Sequence, residues 1–524
     1  MLEPSAPWWT RLREIHPRSR GDNSEPTAWA GQVRSRHVVE TMGSRSRSAG
    51  LLSKGAYVSR FPTLLLSLCL VLGAAWGGSM TATAAQPAPA AAAQAKAKWE
   101  APSGPFFNDP HLAKGHFRIE NKVVQTIKHA PKGSYIRIAV YSFDRRNVAA
   151  AIVAAARRGV KVQMLLNDHQ DTAAMKMIRN EIGTDRTAKS FIYKCKKSCR
   201  GAANEFNNLH TKLYLFSQAG KSTDVVAVGS ANMTRNADIH QWNDLYFMSG
   251  EHEIFRQFVD LFNDMRNDYN TRQDPLLFCG VPTGPVCDDS VDKHTVWAFP
   301  RVSGPKNDLV LDMLGKVQCL TPDGAGGMVR TRLALSMHTM RGDRGNYLAA
   351  AIRKKYAQGC DVRVMFGLIG YHTKGVIAAP TPRGRIPLRS TGLDYNTEDN
   401  FDLNMDGEDD LILDFYSHQK YFVIQGTYNG VQGTEMVLTG SSNWASLSTA
   451  NDEIWFTVRG SRVARKYVKN FDYQWNNKRN SRDAYTTNYA NFRVKRDGRW
   501  VTVRRPVTTI GPENYAKGPY WEND

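Results

Sequence analysis

The chain has 524 residues, with Lys plus Arg at 69 against 49 for Asp plus Glu, a formal net charge of +20 at pH 7. Hydrophobic residues at 42%, aromatics at 10% and charged residues at 23% are ordinary globular values, which excludes a disordered, collagenous or polytopic membrane protein. The basic balance favours anionic partners, either nucleic acid or acidic lipid surfaces.

Leu64 to Ala75 form a short apolar run, preceded by Lys54 and Arg60 and followed by small residues ending in Ala82-Thr83-Ala84. A basic flank, an apolar run of this length and an A-x-A end describe a signal peptide, too short for a comfortable membrane span. Residues 1–84 are therefore expected to be removed and the protein secreted. The long lead before the run is rich in Pro, Arg and Trp, and Met42 opens a more usual basic n-region, so translation is expected to begin there. Cleavage takes away 10 basic and 5 acidic residues and leaves +15 on the mature chain. An Ala/Pro-rich linker covers 85–104.

Outside the leader the cysteines are Cys195, Cys199, Cys279, Cys287, Cys319 and Cys360, an even set suited to an oxidising compartment. Six cysteines allow 15 pairings. The short spacings suggest clips Cys195–Cys199 and Cys279–Cys287, which leaves Cys319 with Cys360. No His lies at zinc-ligand spacing beside these pairs.

In the body, Tyr135–Tyr141 reads as a strand, Asn147–Arg158 as an Ala-rich helix stopped by Gly159, and Val160–Leu166 as a second strand. The order recurs two hundred residues later. Thr331–Leu335 is the strand, Tyr347–Gln358 the helix stopped by Gly359, and Asp361–Phe366 the next strand. Two βαβ units predict two homologous α/β halves, at 105–290 and 291–480, each a mixed, mostly parallel sheet flanked by helices, with the active site at their interface. The tail at 481–524 holds two alternating strands, Phe492–Arg496 and Arg499–Val503, joined by Asp497-Gly498 into a hairpin with a basic outward side.

Chemistry supports the duplication. His210-Thr-Lys212 is followed by an apolar strand and by Gly229-Ser230-Ala231-Asn232; His418-Gln-Lys420 is followed by another and by Gly440-Ser441-Ser442-Asn443. Side chains two apart on a strand share a face, so His and Lys of each motif project together. An acid follows in each copy, at Asp244 and at Glu453. A lone His-x-Lys means little, and His372-Thr-Lys374, with no Gly-Ser-x-Asn behind it, reads as a loop. His169, His240 and His338 carry no such pattern and read as ordinary residues.

This compound pattern resembles the phospholipase D superfamily over about Pro105 to Asn480, and export with two copies in one chain is most similar to the secreted bacterial phospholipases D. The family motif continues His-x-Lys with four residues and an Asp; here Ser217 and Gln425 stand at those positions. By resemblance His210 is a nucleophile that forms a phosphohistidine and His418 is the general acid, although sequence symmetry leaves the two interchangeable. The resemblance further implies that Lys212, Lys420, Asn232 and Asn443 hold the non-bridging phosphate oxygens, with Ser230 and Ser441 as further phosphate contacts. Asp244 and Glu453 are expected to orient the imidazole of the opposite half. The activity so implied is cleavage of the distal phosphodiester of glycerophospholipids of the phosphatidylcholine type at a membrane surface, by a monomer with no catalytic cofactor. Alcohol exchange is open to it as well, because a covalent intermediate can be intercepted. Two alternatives stand beside it: an extracellular nuclease of the same superfamily, for which phosphate contacts and net charge speak, and a catalytically weakened binder of anionic surfaces. Asp402, Asn404 and Asp406, followed by Gly407, match the opening of a calcium loop and could hold a structural Ca²⁺, although Leu413 replaces the closing Glu.

Overall fold

In the computed structural model, the described residues are 99–202, 206–392, 394–395 and 413–510. Residues 1–84, read above as a signal peptide, and Asp402, Asn404 and Asp406, read as the opening of a calcium loop, lie outside them.

The first half is a seven-stranded sheet in the order β1-β7-β6-β5-β2-β3-β4. Its strands are β1 (Gly104–Phe107), β2 (Tyr135–Val140), β3 (Lys161–Asn167), β4 (Phe191–Cys195), β5 (Lys212–Ala219), β6 (Ser222–Gly229) and β7 (Asp244–Met248). Helix α1 (Arg146–Arg157) crosses from β2 to β3. Its Val148, Ala149, Ile152 and Ala155 are spaced for one face and all are buried. Gly159, at φ 85°, provides the left-handed residue that ends the crossover.

The second half repeats this unit with β8 (Arg332–Arg341), α2 (Gly342–Ala357) and β9 (Asp361–Ile369), and Gly359 at φ 106° takes the place of Gly159. The motif strand β10 (Lys420–Tyr428), its hairpin partner β11 (Val431–Gly440) and β12 (Ile454–Arg459) complete the core of an eleven-stranded sheet. Both sheets are mixed, as expected, but along the sheet paths parallel pairing is confined to the βαβ strands and their outer neighbours, with one further short parallel pair off the path between β8 and Trp444–Ala445. The remaining pairings along both sheet paths are antiparallel, so the mostly parallel expectation is corrected: each motif strand returns through tight hairpins, which parallel pairing cannot use. The strand Leu276–Cys279 already belongs to the second sheet, so the change of sheet comes before the 290/291 boundary read from the sequence.

Equivalent registers place the two motifs alike. Lys212 pairs with Val140 at the end of β2, and Lys420 pairs with Met337 on β8. The halves then join through a shared apolar core in which Leu213, Leu215, Val226 and Val228 of the first meet Val296, Ile454, Phe456 and Val458 of the second. Burial of that core on both sheets fixes the halves against each other and brings the two motif ends to one place.

Disulfides join Cys195 to Cys199, Cys279 to Cys287 and Cys319 to Cys360. Among the described residues no helix is long and apolar enough to cross a membrane. The tail forms a two-stranded ribbon, β13 (Tyr485–Arg496) and β14 (Arg499–Ile510), longer than the expected hairpin, with Asp497 and Gly498 both at positive φ as a type I′ turn requires.

Candidate active site

His210 and His418 each stand two residues before a buried lysine at the head of a central strand. The Nζ of Lys212 donates to the His210 carbonyl at 2.8 Å, and the Nζ of Lys420 to the His418 carbonyl at 2.8 Å. All four residues are buried. Lys212 and Lys420 both lower the pKa of both histidines, which puts the two motifs in one electrostatic site.

The Gly-Ser-x-Asn segments turn out of the hairpin strands beside them. A Cβ on Gly229 would come within 2.3 Å of the Asp244 carbonyl, and one on Gly440 within 2.0 Å of the Ile454 carbonyl, so only glycine permits these approaches. The Oδ1 of Asn232 accepts from the Ser142 backbone N–H at 3.4 Å, and that of Asn443 from the Thr339 N–H at 3.2 Å. Each amide thus keeps its NH₂ for another partner. In Asn232 that nitrogen is buried without one among the described residues, as a donor reserved for an oxyanion would be.

The supports of the two histidines cross between the halves and differ in kind. His210 Nδ1 lies 2.9 Å from both carboxylate oxygens of Glu453. Burial alone would raise the Glu453 carboxyl, but His210, Lys212 and the Ser441 hydroxyl outweigh it and hold it below the usual range. His418 Nδ1 lies 2.9 Å from Asn243 Oδ1 instead. The amide is oriented unambiguously: its nitrogen donates to the Ala237 carbonyl and to Gln241 Oε1, both at 3.1 Å, while Oδ1 accepts from the Ser230 hydroxyl at 2.9 Å. Oδ1 can therefore only accept from His418, which fixes a proton on Nδ1 and turns Nε2 to the reaction.

Three expectations are corrected here. Asp244 does not serve His418; its Oδ2 accepts from Thr439 at 2.6 Å and Tyr467 at 3.0 Å, bracing the first half against the second, and burial raises its pKa. Ten residues separate Asn232 from Asn243 and nine separate Asn443 from Glu453, so matching the acids in sequence slips by one. Ser230 and Ser441 are committed elsewhere than to phosphate: Ser230 accepts from the Asp244 N–H and donates to Asn243, and Ser441 accepts from the Ile454 N–H and bonds Glu453. Of the missing family aspartates, Ser217 Oγ accepts from the Tyr135 N–H at 2.8 Å, and Gln425 is paired with Glu435. His372-Thr-Lys374 lies on the helix Tyr371–Ala378, not in a loop.

Sequence reading passed over several neighbours. Tyr141 and His338 hold matching register positions, one residue beyond Val140 and Met337; the Tyr141 ring is 5.1 Å from that of His210 and the His338 ring 4.7 Å from that of His418. His169 stacks on Tyr141 at 4.2 Å. Asp452, beside Glu453, accepts from the backbone N–H groups of Cys199 at 2.6 Å and Arg200 at 3.1 Å, and its own carbonyl accepts from the His210 N–H at 3.0 Å. The Cys195–Cys199 clip therefore tightens the turn that anchors both the His210 strand and the residue next to Glu453.

With this geometry in place, a family model described as cardiolipin synthase, PLD-like domain, is found to match residues 123–266 and 329–475, one match on each half. The chain belongs to the phospholipase D superfamily. Members of the superfamily act on phosphodiester bonds, and two His-Lys-Asn sets in one electrostatic site suit that chemistry. Similar solved structures include the phospholipase D family member Nuc from Salmonella typhimurium (22% identity, covering 32% of this chain and 99% of that one, TM-score 0.24). Phosphatidylserine synthase from Haemophilus influenzae is 12% identical, covering 75% and 91%, with TM-score 0.41. Polyphosphate kinase from Porphyromonas gingivalis is 12% identical, covering 70% of this chain but only 50% of the kinase, with TM-score 0.41. The comparison with curated protein sequences gives no match.

Proposed function

We propose that this chain is a secreted, monomeric phospholipase D that cleaves the distal phosphodiester of glycerophospholipids of the phosphatidylcholine type and can pass the phosphatidyl group to an alcohol. The observation that carries the role assignment is the unequal support of the two histidines. Glu453 stabilises the imidazolium character that His210 Nδ1–H takes on as Nε2 attacks phosphorus, whereas the neutral Asn243 amide leaves His418 a readier proton donor. Burial, first of all, lowers both histidines, so His210 is neutral and nucleophilic at pH 7.

In the forward step the His210 Nε2–P bond forms as the P–O bond to the headgroup breaks, and His418, its pKa lifted by the arriving phosphate anion, gives its Nε2 proton to the leaving alcohol. Lys212, Lys420, Asn232 and Asn443 meet the charge on the non-bridging oxygens. His418 then takes a proton from water or an acceptor alcohol, which breaks the N–P bond. No step calls for a metal. The leader pattern, and three disulfides that suit an oxidising compartment, support export. The net charge of the mature chain favours a nuclease as the second reading.

The test offers the secreted protein and its His210→Ala variant phosphatidylcholine vesicles and single-stranded DNA, with and without EDTA. Choline release that survives EDTA and falls at least about a thousandfold in the variant is expected. DNA cleavage without choline release would overturn the lipid reading in favour of the nuclease.

A further inference from the structure

Among the described residues the C-terminal ribbon pairs only with itself, in twelve-residue strands running from Tyr485↔Ile510 to Arg496↔Arg499. At about 3.4 Å per residue it extends roughly 40 Å. Among the described residues its anchors are at its base, where Ile510 is buried and the Tyr485 hydroxyl donates to the Ile386 carbonyl. A lone two-stranded ribbon is marginal in water unless something covers a face. This one carries Tyr489 at 62%, Phe492 at 41% and Trp500 at 61% exposure.

Its register sorts the side chains into two unlike faces. Phe492 opposite Val503 and Val494 opposite Val501 form an apolar strip on one, flanked on that same face by Arg505, opposite Ala490, and by the tip pair Arg496 and Arg499. On the other, Arg493 lies over the Trp500 ring at 5.6 Å and Arg504 over the Tyr489 ring at 4.9 Å, with Lys495 alongside. At the tip, Arg496 sits directly opposite Arg499, a like-charge pair that destabilises a ribbon unless an anion comes between. Against these cations and Arg505 stands one acid, Asp497, and among the described residues none of the six is in an ion pair.

We propose that this ribbon docks the protein on the surface of an anionic phospholipid bilayer. Arginines, a lysine, Trp and Tyr suit the headgroup layer, and the Phe/Val strip suits the acyl boundary beneath it. A nucleic acid would engage the cations of either face and leave the Phe/Val strip between them in water. A second copy would bring six more cations against these. The inference concerns adsorption and holds whether or not the catalytic substrate is lipid.

The experiment uses the full chain carrying His210→Ala, so that vesicles survive incubation, and measures co-sedimentation with phosphatidylcholine vesicles with and without phosphatidylglycerol. Binding to the anionic vesicles is expected, weakened at least about tenfold by Arg493→Glu with Arg504→Glu and about tenfold by Phe492→Ser with Val501→Ser, with melting temperatures unchanged. Undiminished vesicle binding in either double variant would overturn the proposal. Loss of single-stranded DNA retention in its place would reassign the ribbon to nucleic acid, and a dimer dissolved by Phe492→Ser with Val501→Ser would reassign it to a second copy. Because adsorption is read without turnover, its failure is separable from failure of the phospholipase reading.

Discussion

Asn243 occupies against His418 the place that Glu453 holds against His210: each accepts from a ring Nδ1 at 2.9 Å, from the opposite half, beside a serine of the Gly-Ser-x-Asn segment. The positions are equivalent, but one is a carboxylate and the other an amide.

Asn243→Asp makes the site symmetric in charge. An anion at that distance favours the protonated ring, so the His418 pKa is expected to rise by about one unit or more, moving the alkaline limb of the kcat/KM profile upward. Glu453→Gln does the reverse for His210. Glu453 is a cause that raises the His210 pKa, so its loss lets burial and the lysines lower that pKa further, and the acid limb, already below the ordinary imidazole range, moves to still lower pH while kcat falls. A pH–rate profile of each variant checks both signs, and unmoved limbs would contradict them.

His418→Ala separates the two chemical steps. With a nitrophenyl phosphodiester, whose leaving group needs no protonation, the variant is expected to release one equivalent of nitrophenolate and to stall, with the phosphoryl adduct on the peptide containing His210 by mass spectrometry. An adduct elsewhere, or a burst that persists in His210→Ala, would reverse or remove the assigned roles.

The disulfides are expected to divide between stability and activity. By loop closure, Cys319–Cys360, separated by 41 residues, contributes about 4 kcal/mol, and Cys195–Cys199, separated by 4, about 2 kcal/mol. Yet only the latter anchors Asp452 and, through it, the His210 strand. Replacing each pair by serine and comparing denaturant midpoints with kcat checks this: the 319/360 variant loses more stability, the 195/199 variant more turnover.

Arg344 is fully buried, with Nε 2.8 Å from Asp308 and an NH₂ group donating to the Asn443 carbonyl at 2.8 Å. Arg344→Ala leaves Asp308 buried without its cationic partner, held only by the Tyr347 hydroxyl and the Val310 N–H, and is expected to cost about 3–5 kcal/mol by chemical denaturation. Joint replacement with Asp308→Leu should recover part of the loss.

Much of this was legible in the chain. The period-two placement of His and Lys, repeated with Gly-Ser-x-Asn, locates both motif strands, and the Ala-rich runs ended by Gly159 and Gly359 locate both crossovers. What escaped depends on partners distant in sequence. The slip from Asn243 to Asp244 arose because the connection holding the short helix Arg235–Ile239 is one residue longer than its counterpart, and composition does not show which residue of the pair faces inward. Tyr141, His338 and Asp452 gain their places only once the sheets meet. The parallel share of the sheets was overread because hairpin returns lie in the turns, not in the strands themselves.

The crossed supports carry a consequence for how such a site can evolve. Were the two halves identical subunits related by a twofold axis, any change at one support would appear at the other, and both histidines would always be twins. Joined in one chain, the copies are free to differ, so a carboxylate can sit behind one imidazole and an amide behind the other, and direction enters a reaction centre whose architecture is otherwise symmetric.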